Sequence, residues 1–572
     1  MLGWIIQPGG GSEMSRPACV VLLVVLGGSL SLLIHSASGS AVTLRQPEQQ
    51  LPQAQFGGMY RRMLADNPST LDPTFLTDLY GRAVVSQIFD GLVQFDAELN
   101  PMPAIAEFWE SSHDGRIWTF TLRQGVRFHH GREVTAQDFV YSFSRFLKSQ
   151  KSVPVTEFFL RVQGAQDFMQ GKTQRVEGLK ALDRYTLQLL LEEPLAPSLL
   201  LLALVNAYVV PQEEVERQGE RFGRSPVGTG PFKFVRWEQN KEIVLEANDQ
   251  YYEGRPFLNM LVYKIVVGSR LEERFAEFLR GDLEETIIPS DKTEEVRINP
   301  QYQRYQRVSR PTLSLTYLGF NTQLKPFDDK RVRQAFNYAV NKEAIVREIA
   351  QMRSLPATGV LPPGMLGYDP ELQGYPYNPA KAELLLVEAG YPHGAGFPVV
   401  QLWAGHKAES TKAELAAYQR YLADVGVQVE IHFAPDWPTY QSMLEHGKLS
   451  MFRLAWRADI PDPDNVLSPL LHSASPTNRT FYRNPQVDQL LEQARKELND
   501  VQRAALYRRV ERMVMDDAPW IPQHYDAFDY LYQPYVRGIE VNLLGKRAIP
   551  MKDIWLDKSL PESSKGTTSS NQ

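Results

Sequence analysis

Hydrophobic positions recur along this chain with two different periods. Trp118-Thr119-Phe120-Thr121-Leu122 alternates apolar and polar residues, Gln124-Gly125 supplies a turn, and Val126-Arg127-Phe128 alternates again, so the run reads as a β-hairpin. Just beyond it, Thr135-Ala136-Gln137-Asp138 has the residues of a capping box, and Phe139, Val140, Phe143, Phe146 and Leu147 follow at helical spacing. Asp328 or Asp329 opens another predicted helix, with Val332, Ala335, Phe336, Ala339 and Val340 on one face. Asn378-Pro379 and Asn484-Pro485 are two more starts. Asparagine accepts hydrogen bonds from free N–H groups of the first turn, and proline fits the first helical position, where no donor is needed. Behind the second start, Val487, Leu490, Leu491 and Ala494 repeat at helical spacing. Strand groups alternating with capped helices predict α/β or α+β lobes.

The two ends break this pattern. Arg16 precedes an apolar run from Ala18 to Ile34, and the small residues Ser36 to Ala41 come next. Cation, apolar run and small residues in that order predict a secretory signal peptide over 1–41, with Met14 the better start. The run, about 17 residues and interrupted by Gly27 and Gly28, is marginal for a membrane span, so a retained anchor is the alternative. Residues 42–55 read as a polar linker and 559–572 as a disordered tail.

Length and composition narrow the function. A chain of 572 residues is too long for one core, so two or three lobes are expected. The net charge of −6 argues against nucleic acid and anionic membrane as partners. The one cysteine, Cys19, falls within the signal segment, which leaves no disulfide framework or cysteine metal site in a mature chain. No nucleophile elbow, His-Glu-x-x-His or phosphate-cradling loop is present. His129-His130 are adjacent and point different ways, and Asp459, Asp462 and Asp464 are interleaved by prolines and lack calcium-loop spacing. The reading is a non-enzyme without metal or cofactor.

Ordered motifs then point to a family. Leu71-Asp72-Pro73, Ile88-Phe89-Asp90-Gly91-Leu92, Trp118 to Val126, Thr135 to Phe139 and Pro226-Val227-Gly228-Thr229-Gly230-Pro231-Phe232 come first. Phe320-Asn321, Pro326-Phe327, Arg331 to Ala335, Ala389 to Pro392, Trp456-Arg457-Ala458-Asp459 and Ala518 to Pro522 follow. Each is weak alone, but in this order from Met59 to Trp555 they closely resemble the extracytoplasmic solute-binding proteins of family 5, above all oligopeptide- and dipeptide-binding proteins. The resemblance implies an α/β, two-lobed type II periplasmic-binding-protein fold with an additional α+β domain on the first lobe. By analogy the first lobe comprises 56–95, 221–306 and 519–558, the additional domain 96–220, and the second lobe 307–518. Ligand would lie in the cleft between lobes, and the partners would be an ABC permease with its ATPase. The protein would be a periplasmic monomer.

A receptor for varied peptides must hold what all peptides share. Backbone is held by strand-like pairing, and the α-ammonium needs a buried carboxylate. The resemblance implies Asp459 for the ammonium, main-chain groups of Ala455, Trp456 and Arg457 with Trp456 also as a wall, and the neighbourhood of Leu79 opposite. It implies Arg453 for the peptide carboxylate, since guanidinium suits that group. Two departures stand out: Leu444 takes the position of a further basic anchor, and Arg457 replaces a cysteine common in those relatives. A nickel chelate, an oligosaccharide, or a peptide sensor or chaperone without transport are the alternative readings, and Asp459 favours peptides.

Overall fold

The structure is a computed structural model that describes residues 53–348, 354–545 and 550–560. The expected signal segment with Cys19, most of the linker and most of the tail lie outside the described residues. Among the described residues, no helix is long and apolar enough to cross a membrane.

Local capping rules act as the sequence leads one to expect. The helix Ala136–Ser149 starts at Thr135, whose N–H and hydroxyl both donate to Asp138 Oδ2, at 2.8 and 2.9 Å. It buries Phe139, Phe143, Phe146 and Leu147 over an antiparallel sheet ordered Ala106–Ser111, Ile117–Leu122, Thr186–Leu190 and Leu179–Ala181. Asp329, Asn378 and Asn484 cap the helices Lys330–Ala339, Pro379–Glu388 and Pro485–Lys496. The predicted hairpin does not form. Both edges of Ile117–Leu122 are taken, by Ala106–Ser111 and Thr186–Leu190. Val126 and Phe128 instead bond back to Val134 and Arg132, because partners distant in sequence satisfy the strand first.

A second sheet runs Met59–Leu64, Met260–Ile265, Glu242–Ala247 and Phe232–Glu238. The segment Pro226 to Phe232 leads into it and braces the helix Leu79–Ile88. Gly230 N–H donates to Ile88 O at 2.8 Å, and a Cβ on Gly228 would lie 2.0 Å from that same oxygen. The glycines are required by this close backbone approach. Thr229 Oγ1 donates to the buried Asp90 at 2.8 Å, and His129 takes a bond from Gly228 N–H and reaches Gly230 O.

The largest sheet is ordered Leu355–Pro356, Trp520–Tyr525, Ser314–Phe320, Met451–Arg457, Val400–Ala404 and Val429–Phe433. Ser314–Phe320 is buried throughout, which explains its nearly continuous apolar run. A three-stranded sheet, Glu285–Ile287, Ala527–Tyr532 and Gln306–Pro311, lies next along the same two chain segments. The chain therefore passes twice between these sheets, at Thr312 to Leu313 and at Asp526. The two passages are tied together: Thr312 N–H donates to Asp526 O at 2.9 Å, and Ser314 Oγ to Asp526 Oδ2 at 3.2 Å. The boundary expected at 519 falls elsewhere, since Trp520–Tyr525 pairs with Ser314–Phe320 and the crossing comes at Asp526.

Candidate functional site

Met451–Arg457 and its continuation supply most of the site. Ser314–Phe320 pairs with the whole length of this strand, but Val400–Ala404 pairs only with Met451 and Phe452. From Arg453 to Arg457, then, one edge of the strand has no strand partner. Ala455 is exposed there, and a cavity of about 290 Å³ is lined by Leu79, Arg82, Ala455, Trp456, Arg457 and Asp459 among others. It adjoins two more. One, about 310 Å³, shares Arg457 and Asp526 with it. The other, about 460 Å³, shares Trp456 and Asp459 and extends along Asn465 to Thr477 and Ser152 to Glu157. These volumes suit small ligands.

Each expected residue can now be located. Asp459 follows the strand, and its backbone N–H donates to Asn465 Oδ1 at 2.7 Å. Its Oδ1 accepts a bond from Arg82 Nη1 of the helix Leu79–Ile88, forming an ion pair in which both side chains are largely buried. Trp456 Nε1 donates to Asn465 O at 2.9 Å, which fixes the indole against the start of the helix Asp464–Leu471. Leu79 opens its helix with its side chain exposed, next to the N-cap Asp78, which accepts from Gly81 N–H. Arg453 turns its guanidinium fork onto Glu414, with both bonds at 3.0 Å. Gln523 Nε2 also donates to Glu414, at 2.6 Å. Arg453 lines the cavity of about 310 Å³, but its charge is already matched by a carboxylate of this chain. Leu444 is packed in the hydrophobic core.

The other acidic residues near Asp459 have partners too. Asp462 is held by Arg503 at 2.5 and 2.7 Å in a fully buried pair, and Asp464 by Arg495 and Ser468. His130 pairs with Glu213 on the surface. No group of three or more His, Cys, Asp or Glu among the described residues is placed to hold a metal.

Sequence reasoning missed Arg82, Glu414, His524 and Asp526. Burial disfavours the Asp526 carboxylate, yet the hydrogen bond and charge of His524, and the charge of Arg457, hold it below the usual range. For Arg82 a signal existed: it is a lone cation in the apolar turn from Leu79 to Val85. Glu414, on the helix Glu409–Ala423, and Asp526 had none, because only the packing of distant segments brings them to the cleft.

Known proteins resemble this chain over most of its length. The model of bacterial extracellular solute-binding proteins, family 5 (middle region), matches residues 100–478. Heme-binding protein A of Haemophilus influenzae is 32% identical over 474 residues, covering 79% of this chain and 84% of that protein. The dipeptide-binding protein of Escherichia coli is 29% identical over 546 residues, covering 92% and 97%. Among solved structures, the periplasmic binding protein DppA from Helicobacter pylori, in complex with the peptide STSA, aligns with a TM-score of 0.71 at 27% identity. That alignment covers 88% of this chain and 99% of the other. The fold is that of a type II periplasmic binding protein of mixed α and β content. Taken together, the matched span, the shared fold and the cleft beside Met451–Arg457 make the chain a member of the bacterial extracellular solute-binding proteins of family 5.

Proposed function

We propose that this protein is an extracytoplasmic peptide receptor that captures its ligand in the cleft beside Met451–Arg457 and delivers it to an ABC importer. One observation carries the reading: a strand edge without a strand partner runs straight into a carboxylate, Asp459, on the wall of a ligand-sized cavity. An open edge offers alternate main-chain donors and acceptors to an extended peptide whatever its side chains. The carboxylate at its end suits the α-ammonium group, which is costly to bury alone.

Asp459 Oδ1 is engaged by Arg82, and among the described residues Oδ2 accepts no hydrogen bond. The ligand ammonium therefore approaches Oδ2 and competes with Arg82 for the same charge. An open main-chain edge ending at an ionised carboxylate matches a peptide backbone and α-ammonium together, a combination that neither an uncharged oligosaccharide nor a nickel chelate presents. The relatives named for dipeptides and solved with a bound peptide support the same ligand class. The protein binds and releases its ligand unchanged.

The test is to purify the protein under native conditions from its own host, denature it, and identify what is released by mass spectrometry. Peptides with free amino termini are the expected result. Release of a sugar or a metal chelate instead would overturn the assignment.

A further inference from the structure

Four arginines line the cleft cavities, and three of them are already matched. Arg82 is paired with Asp459, Arg453 with Glu414 and Arg495 with Asp464. Among the described residues, Arg457 has no ion pair and no side-chain hydrogen bond, and its Nε is buried without a partner. Its guanidinium carbon sits 4.7 Å from the centre of the Phe528 ring, a contact that orients the group but does not neutralise it. Asp526 lines the same cavities as Arg457 but is engaged by His524 at 3.1 Å and Ser314 at 3.2 Å. Arg457 acts on Asp526 through its charge alone, and among the described residues it is the cleft arginine whose guanidinium bonds to no carboxylate, set between the cavities of about 290 and 310 Å³.

A partly desolvated guanidinium with no hydrogen-bonded anion is unfavourable, and its planar fork fits a carboxylate through two parallel bonds. We propose that the Arg457 side chain receives a carboxylate of the ligand and thereby selects peptides whose carboxylate lies one dipeptide length from the α-ammonium. The proposal rests on the peptide reading above. Arg457 and Asp459 line the same cavity of about 290 Å³, and two residues of extended ligand span about 7 Å. An ammonium on Asp459 and a carboxylate on Arg457 therefore fit a dipeptide. They also fit a longer peptide whose second residue has an acidic side chain.

Calorimetric titration of the full chain, refolded from denaturant to remove ligand, tests this with Ala-Phe, its C-terminal amide, and Ala-Glu-Phe amide. Wild type should bind Ala-Phe at least about 30-fold more tightly than its amide, the effect of leaving one side of a buried charge pair empty. Arg457→Gln should abolish that preference, and Arg457→Lys should restore part of it; the melting temperature of each variant checks its fold. If Ala-Glu-Phe amide binds as tightly as Ala-Phe, and does so through Arg457, the carboxylate comes from the side chain. If only Ala-Phe shows the effect, it comes from the terminus. A preference for the free carboxylate that survives Arg457→Gln overturns the proposal and leaves the peptide reading standing. Failure of wild type to bind any of these peptides, or longer ones with free termini, overturns both.

Discussion

Arg82 and Asp459 form an ion pair that joins the helix Leu79–Ile88 to the segment following the strand Met451–Arg457. On the proposed function the same carboxylate takes the peptide ammonium, which makes Arg82 an internal competitor for the ligand. A ligand shifts an equilibrium only by its differential affinity, and here part of that affinity is spent displacing or sharing with Arg82. Arg82→Ala should tighten the binding of peptides with free amino termini by about tenfold, equivalent to about 1.4 kcal/mol. Calorimetry on the two proteins checks this, and weaker binding by the variant would make Arg82 a support for Asp459 instead of a competitor.

Arg453 and Glu414 form a buried fork-to-fork pair. Removing one member strands the other's charge, at a cost of about 3–5 kcal/mol. Arg453→Ala should lose stability of that order in urea unfolding of ligand-free protein, and the double replacement Arg453→Leu with Glu414→Leu should recover much of it. In Arg453→Ala, the ratio of affinities for a free peptide and its C-terminal amide should stay as in wild type.

His129 is half-buried between Gly228 and Gly230, and desolvation of its ring pushes it down to about 4. The unfolded chain binds a proton on this ring near pH 6.5. Between those values only the unfolded state is protonated, so the His129 contribution to stability is complete above pH 6.5 and is lost as pH falls toward 4. The stability difference between wild type and His129→Gln should shrink by about 2.5 kcal/mol from pH 7.5 to pH 4.5. A difference that stays constant across that range would mean that His129 titrates normally.

Gly228→Ala should be among the most damaging single changes outside the cleft. Its new methyl group would sit against the Ile88 carbonyl oxygen, which is backbone and has no rotamer with which to escape. A loss of about 3 kcal/mol is expected from overpacking on this scale. Chemical denaturation measures it, and a change below about 1 kcal/mol would show that the segment can shift at little cost.

Much of this was legible in the sequence wherever the information is local. Capping residues located the starts of four helices, because a cap is read over three or four positions. The segment Pro226 to Phe232 could be recognised without its reason, which is the packing of two glycines on a helix carbonyl far away in the chain. The hairpin after Trp118 failed for the opposite cause: alternation identifies a strand but not its partner, and both edges went to distant segments. At the site, Asp459, Ala455, Trp456, Arg457 and Leu79 were singled out through the family motif, and the structure sets them around one cavity. The ion pairs could not be read in this way, since Arg82 lies 377 residues from Asp459 and Arg453 meets Glu414 only after the large sheet forms. A side chain that looks free in sequence is matched or unmatched according to what the fold brings beside it, as the pairing of Arg453 with Glu414 shows.

The central claim is that the cleft holds a peptide by its α-ammonium group on Asp459. The most direct measurement is a thermal-shift titration of refolded, ligand-free protein with di-, tri- and pentapeptides, each free and Nα-acetylated, on wild type and Asp459→Ala. A ligand at about 100 times its dissociation constant adds about 2.7 kcal/mol of stability, which gives a clear rise in melting temperature. At least one free peptide should give that rise with wild type, and acetylation or Asp459→Ala should remove it. An equal rise for free and acetylated peptides, or no rise for any peptide, would contradict the claim.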